Sequence, residues 1–262
     1  MRAVPPGVWV RNAGEIGGLG LRCAIALFSR GPSWRREFLI QFGNVFALGF
    51  GPVVVISLLV GFSGTGVTGG ATLEAFGAVD RLAGAVPVAL LREGAPLISS
   101  AVMAGVIGTT VTAEFGARVI RDEISALQVM GINPIRNLVL PRVCAITVGM
   151  VVLNMVGVVA GVLGAFVAAV TLLSATSSSF IAQALANTGY VDLWASQAKA
   201  VVFGLLIGLI ASAKGLGATG GPEGVGRAVN ASVVTSLLAL GFTGLLFTSV
   251  FLAIYPDLVV LR

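Results

Sequence analysis

The stretch Val143–Leu173, VCAITVGMVVLNMVGVVAGVLGAFVAAVTLL, runs for 31 residues without one charged side chain. At the helical rise of 1.5 Å per residue it extends about 46 Å, more than the ~30 Å of a bilayer hydrocarbon core. Such a helix spans the membrane with residues to spare, so it tilts, kinks or projects. Its Gly157, Gly161 and Gly164 offer a face for close packing. A spanning barrel would show segments of about ten residues of alternating polarity. This run is continuously apolar, and a helix is the reading.

Working outward, four more apolar runs appear: Asn44–Phe62, Leu82–Ala113, Leu193–Ala213 and Ala231–Ile254. The second carries Pro87, Pro96 and the charged pair Arg92-Glu93. The 262 residues are 56% hydrophobic and 10% charged, with a mean hydropathy of +1.01. Soluble domains carry about a quarter charged residues, so this chain cannot cover itself with a water-facing surface. Fifteen of the 36 glycines lie within these five runs, where membrane helices use them for packing. The expected fold is all-α: a polytopic bundle of five transmembrane helices with an N-terminal interfacial helix and a short cytoplasmic helix. Gly157/Gly161 and Gly204/Gly208 read as close helix contacts, within this chain in the first instance and with a helix of another chain as the alternative.

Residues 1–43 hold Arg2, Arg11, Arg22, Arg30, Arg35 and Arg36 between modest apolar stretches. They read as a membrane-surface helical region, with a partly ordered tail as the alternative; residues 44–262 form the membrane-spanning domain. No cleavable signal peptide is expected, because the first strong apolar run starts only near Asn44. Polar connections are expected at Ser63–Ala71, Ser174–Asp192 and the glycine-rich Lys214–Arg227. With the N-terminus inside, twelve basic residues fall on inner segments and four elsewhere. That bias predicts a cytoplasmic N-terminus and an outer C-terminus. It also accounts for the net charge of +5 without nucleic acid, because the cations are spread among the connections.

Several chemistries are disfavoured. The chain has no histidine, which removes the commonest general base and metal ligand. Cys23 and Cys144 read as free thiols, and no metal site or catalytic residue is expected. The Lys214–Arg227 glycines do not match a phosphate-binding loop, which needs G-x-x-x-x-G-K-S/T after a strand. No nucleotide or other cofactor is expected on this chain.

The segment Glu114–Gly131 is too polar to cross. Read as one helix, it places Val119, Ile120, Ile124, Leu127 and Met130 on one side, and Arg118, Arg121, Asp122, Ser125 and Gln128 on the other. Glu114 and Arg118 form an i,i+4 pair. Gly131 stops the helix and Pro134 follows. Periodicity leaves two readings open: a helix resting in the headgroups, or one docking a cytoplasmic partner. Arg92, Glu93 and Lys199 are isolated charges in apolar runs. They are either interfacial and snorkelling, or the polar patch of a cavity.

Three stretches carry a resemblance. Leu91-Arg92-Glu93-Gly94-Ala95-Pro96 is similar to L-R-E-L-G-P. Ala113-Glu114-Phe115-Gly116, then Ile124-Ser125-Ala126-Leu127-Gln128-Val129-Met130-Gly131-Ile132-Asn133-Pro134-Ile135-Arg136, then Pro141-Arg142-Val143, are similar to A-E-L-G, I-D-A-L-x-V-M-G-x-D/N-P-I-R and P-R-V. Gly220-Gly221-Pro222-Glu223-Gly224-Val225-Gly226-Arg227-Ala228 is similar to G-G-x-E-G-V-G-R-A. The chain thus resembles the MlaE/YrbE-type permeases of ABC lipid transporters that work with MCE proteins.

The resemblance implies a permease subunit in the cell (inner) membrane that moves lipid, driven by ATP hydrolysis on a separate cytoplasmic ATPase dimer holding ATP and magnesium. It implies that Glu114, Arg118, Ile120, Arg121, Asp122, Glu123, Ile124, Leu127 and Met130 couple to that ATPase, and that Arg92, Glu93 and Lys199 line a lipid cavity. The implied partners are a second permease subunit, identical or homologous, and MCE-domain proteins on the outer face. The wording Ile120-Arg121-Asp122-Glu123-Ile124 is nearest to actinobacterial members, which implies a heterodimer as one arrangement. Gly94-Ala95 replaces the usual Leu-Gly, Val106 stands where many members have Arg, and no acidic residue lies around Gly241-Phe242-Thr243-Gly244. A thinner polar lining is therefore expected. The rivals are a stand-alone secondary transporter and a membrane scaffold. Five unequal spans with few internal charges argue against the former.

Overall fold

A computed structural model describes residues 6–28, 34–64, 69, 82–173 and 176–255. The described residues are helical throughout, apart from short turns, and contain no strand. Helices α1 (Pro6–Phe28) and α2 (Trp34–Ser63) open the chain. Next come α3 (Leu82–Ala89), α4 (Ala95–Val102) and α5 (Thr109–Ile120), joined by π-helical turns at Leu90–Gly94 and Met103–Gly108. A short α6 (Glu123–Val129) precedes a third π-helical turn, Ile135–Val139, which leads into α7 (Leu140–Leu172). The chain closes with α8 (Ser177–Asn187), α9 (Tyr190–Leu216) and α10 (Gly221–Ile254).

Among the described residues, five helical stretches are long and apolar enough to cross a membrane: Arg35–Ser63, Gly84–Ile120, Ile135–Leu172, Tyr190–Leu216 and Gly221–Ile254. The chain is an all-α, multi-pass membrane protein with five candidate spans, as the hydropathy pattern predicts. The shorter apolar stretch Ile16–Leu27 within α1 is too short to span.

Several boundaries differ from the sequence reading. The first spanning helix starts at Trp34, well ahead of the apolar run at Asn44. The expected polar loop at Ser174–Asp192 folds α8, because Phe180 finds a buried seat that hydropathy averaging does not register. Most of the expected connector Lys214–Arg227 is helical. Only Gly217–Gly220 separates α9 from α10, where Pro222 and Glu223 suit the first helical turn. The expected connection at Ser63–Ala71 falls largely outside the described residues.

The chain divides into two compact units. One comprises residues 1–45, 103–149 and 204–239. Its centre holds Phe115, Val139, Ile146, Ile207 and Ile210, all buried. In it α1 packs on the turn Ile135–Val139. Thr112 Oγ1 donates to Ala211 O at 3.1 Å, joining α5 to α9.

The other unit comprises residues 46–102, 150–203 and 240–262. Here α2 and α7 meet backbone to backbone: a Cβ on Gly61 would strike Gly161 O, and one on Gly164 would strike Leu58 O. Lipid tails are as apolar as leucine, so close van der Waals packing of this kind, rather than apolar burial, drives helix association. In the same unit Leu90, Ala165, Ala169 and Phe180 cluster, with Phe166 edge-on to Phe180 at 5.5 Å. Asn154 Nδ2 donates to Ser196 Oγ at 3.0 Å, pinning α7 to α9 through buried polar groups.

Candidate functional site

The charged residues within apolar runs come together in the second unit. The route begins with Pro96, which brings no N–H to the carbonyl of Arg92 four residues back. The chain widens here into the π-helical turn Leu90–Gly94, with Ala95 N–H donating to Leu90 O five residues earlier. π-Bulges of this kind recur at functional sites. Lys199 of α9 supplies a donor to the Arg92 carbonyl, Nζ to O at 3.0 Å. The same ammonium donates to Glu93 Oε1 at 2.7 Å and to Thr248 Oγ1 of α10 at 2.9 Å. Its three N–H groups are thereby used. Thr248 Oγ1 in turn donates to Glu93 Oε1. Beside this group Arg92 Nε donates to Asp192 Oδ1 at 2.7 Å.

Two ion pairs therefore sit side by side, and their formal charges cancel. Lys199 is 2% exposed and Asp192 1%, while Glu93 is 41% exposed. Lys199 is not a snorkelling interfacial lysine: its ammonium is held inside the protein. Arg92, Glu93, Lys199 and Thr248 border a cavity of about 370 Å³ whose walls are Ala85, Val88, Ala89, Ala195, Phe247, Phe251 and Leu252. The Phe247 ring lies 5.6 Å from Lys199 Nζ, within cation–π range. The cavity is at the small end of ligand pockets. The cavity thus has a polar floor under apolar walls.

The second constellation lies in the first unit. The expected single helix from Glu114 to Met130 is two helices. α5 ends at Ile120, and Asp122 adopts a left-handed conformation, φ +57°, before α6 begins. The break resets the helical phase, so the expected two-sided pattern does not hold. Val119 and Ile124, assigned to the apolar side, line one groove of about 640 Å³ with Ser125 and Gln128, assigned to the polar side. Leu127 is half-buried, Ile120 and Arg121 are exposed, and Met130 is exposed at the tip of α6 beside Val129. Glu123 bridges the break, accepting from Arg121 Nε at 2.8 Å and facing Arg118 Nη1 at 3.9 Å.

The expected Glu114–Arg118 pair is likewise not made. Glu114 Oε2 accepts from Arg142 Nη2 at 2.8 Å instead, because α7 brings a buried guanidinium alongside α5. After α6, Gly131 at φ +75° turns the chain. Gly131 N–H donates to Gln128 O and Ile132 N–H to Leu127 O, a Schellman closure that favours glycine. Asn133 Oδ1 then accepts from the N–H of Ile135 at 3.0 Å and caps the next helical turn. This is the physical content of the wording Met130-Gly131-Ile132-Asn133-Pro134.

A family model described as Permease MlaE matches residues 38–250. The chain belongs to the MlaE permease family. Among relatives of this MlaE-type permease, a probable ABC transporter permease protein of Synechocystis is 33% identical over 165 residues, 63% of each chain. One from Rickettsia bellii is 30% identical over 209 residues, 78% of this chain and 80% of its own length. One from Rickettsia typhi is 29% identical over 206 residues, 77% and 78% respectively. The match to the cyanobacterial protein thus spans under two thirds of that relative.

In this MlaE permease the structure brings Arg92, Glu93 and Lys199 together, and adds partners that sequence reasoning missed. Asp192 was assigned to the end of a polar loop, and Thr248 lies in a span from which only a thinner polar lining, without an acidic residue around Gly241–Gly244, was expected. The signal for Thr248 is faint, a threonine facing inward in an apolar helix. The signal for the freed Arg92 carbonyl is plain: a proline four residues downstream. Among the described residues no group of His, Cys, Asp and Glu could hold a metal ion, and both cysteines are free.

Proposed function

We propose that the chain is the transmembrane permease subunit of an ATP-binding-cassette lipid transporter in the cell (inner) membrane, working with MCE proteins on the outer face. The observation that carries the reading is the cavity floored by Arg92, Glu93, Lys199 and Thr248 and walled by alanine, valine, leucine and phenylalanine. A lipid headgroup meets the paired charges, and part of a chain lies along the phenylalanines. The cavity takes a portion of the lipid, and a second permease subunit, identical or homologous, contributes the remainder.

ATP is hydrolysed by a cytoplasmic ATPase dimer, and this subunit carries no catalysis of its own. The coupling surface is the segment with Glu114, Arg118, Ile120, Arg121, Asp122, Glu123, Ile124, Leu127 and Met130. The exposed tip, Val129 at 88% and Met130 at 63%, presents apolar surface that calls for a protein cover. Nucleotide binding supplies the differential energy, since a ligand shifts an equilibrium only by its preference between two states.

The proposed orientation, with the N-terminus cytoplasmic, rests on the bias of basic residues towards the segments placed inside. Every segment that charge bias places inside belongs to the first unit. The connections placed outside belong to the second.

The test is co-purification followed by mass spectrometry of retained lipids. The expected result is a bound ATPase, an MCE protein and a lipid whose retention falls in Lys199→Met. Purification of the chain with neither protein, or lipid retention indifferent to Lys199, refutes the proposal.

A further inference from the structure

Arg142 is 2% exposed and lies where three spanning helices converge in the first unit. It belongs to α7. Its Nη2 donates to Glu114 Oε2 of α5 at 2.8 Å, and its Nη1 donates to Leu138 O at 3.2 Å. The guanidinium lies over the ring of the buried Phe115, 4.9 Å from the centroid. A second carboxylate, Glu37 Oε1 of α2, stands 3.8 Å from Nη1, too far for a hydrogen bond. Glu37 meanwhile accepts from Gln41 Nε2 at 2.8 Å. Arg142 Nε has no hydrogen-bond partner.

One buried cation thus faces two partly exposed carboxylates from different helices, one engaged and one in reserve. An arginine so buried cannot be left without a counter-ion, because a desolvated unpaired charge is strongly disfavoured. Glu114, in contrast, can turn to water. Any displacement of α5 that pulls Glu114 away therefore has to hand Arg142 to Glu37. Glu114 lies two helical turns before the break at Asp122, on the helix that leads directly into α6.

We propose that Arg142 is a positioning residue that exchanges Glu114 for Glu37 during the transport cycle, converting movement of α6 into movement of α5 against α2 and α7. The inference rests on the proposed coupling role of α6. Arg142 acts through these carboxylates and touches no lipid or nucleotide.

Two measurements test it. The first uses the complete complex in proteoliposomes and reads lipid transferred per ATP hydrolysed. Glu37→Gln removes only the reserve partner, and the ratio is expected to fall about tenfold, within the range for residues that modulate coupling. A ratio within twofold of the unaltered complex overturns the proposal. The second needs no transport: a double-mutant cycle on thermal unfolding of the detergent-solubilised chain. If Glu37 takes over the guanidinium, Glu114→Gln and Glu37→Gln together lower stability by more than the sum of the singles. Strict additivity overturns the exchange. An unaltered complex that binds no ATPase or transfers no lipid defeats the transporter reading, while the unfolding cycle still decides whether Arg142 has two partners.

Discussion

Replacing Glu93 by Gln keeps the side-chain shape and an oxygen for Lys199 but removes the counter-ion of an ammonium that is 2% exposed. Breaking a buried pair by deleting one partner costs about 3–5 kcal/mol, because the remaining charge is stranded. The Arg92 carbonyl and Thr248 Oγ1 still accept from Lys199 Nζ, which places the cost near the lower end, about 3 kcal/mol. The reverse change, Lys199→Met, strands Glu93 instead. That carboxylate is 41% exposed and can rehydrate, so the loss is that of a charged hydrogen bond, about 1.5–2 kcal/mol. The double variant removes both charges and is expected to be more stable than Glu93→Gln alone by about 1 kcal/mol or more. Equilibrium unfolding of the purified chain in one detergent, with all three variants side by side, reads these differences. A Lys199→Met loss larger than that of Glu93→Gln, or a double variant equal to the sum of the singles, refutes the burial asymmetry on which the reasoning stands.

Gly164→Val is expected to abolish the α2–α7 contact, since its Cβ meets the Leu58 carbonyl and no flexible side chain can yield; loss of monodisperse protein in detergent size-exclusion reads the effect. Asp122→Gly relieves a left-handed conformation that costs an L-residue about 1–2 kcal/mol, so the unfolding midpoint should rise, whereas Asp122→Val should lower it. Ile124→Asp is expected to leave membrane insertion intact and to abolish ATPase association; pull-down of the partner at wild-type level would contradict the docking assignment. Burial, with a smaller contribution from Cys144, pushes the Cys23 thiol up to about 11 from 9.0. Its neutral form is favoured in the fold, so maleimide labelling should be slow at pH 8 and climb towards pH 11, and the stability this group contributes should be lost as pH rises through 9 to 11. A labelling rate at pH 8 equal to that of the unfolded chain would refute this.

How far the sequence could be read follows from which interactions are local. Each span is a transfer of one segment into lipid, decided by its own composition and length, so five spans were legible from runs such as Val143–Leu173. The cation bias was legible for the same reason. The stop at Gly131 was readable because its partners, Leu127 and Gln128, lie within five residues.

The pairings were a different matter. Arg92 to Asp192 spans 100 residues, Lys199 to Glu93 106 and Arg142 to Glu114 28. Nothing in the period of one helix tells which side chain of another it will meet. The i,i+4 rule offered Arg118 to Glu114, and Arg142 won because it is buried and has few other partners to choose from. The break at Asp122 was hidden for a related reason. Helical periodicity assumes one continuous phase, whereas the backbone there follows how α5 and α6 are each seated. Composition and hydropathy thus determined that this is a helical, multi-pass membrane protein, with five candidate spans among the described residues, and where its polar residues stand along the chain. Only the packed structure decided which charges neutralise one another, because in a low-dielectric interior the partner of a charge is chosen by proximity across helices and not by position in the sequence.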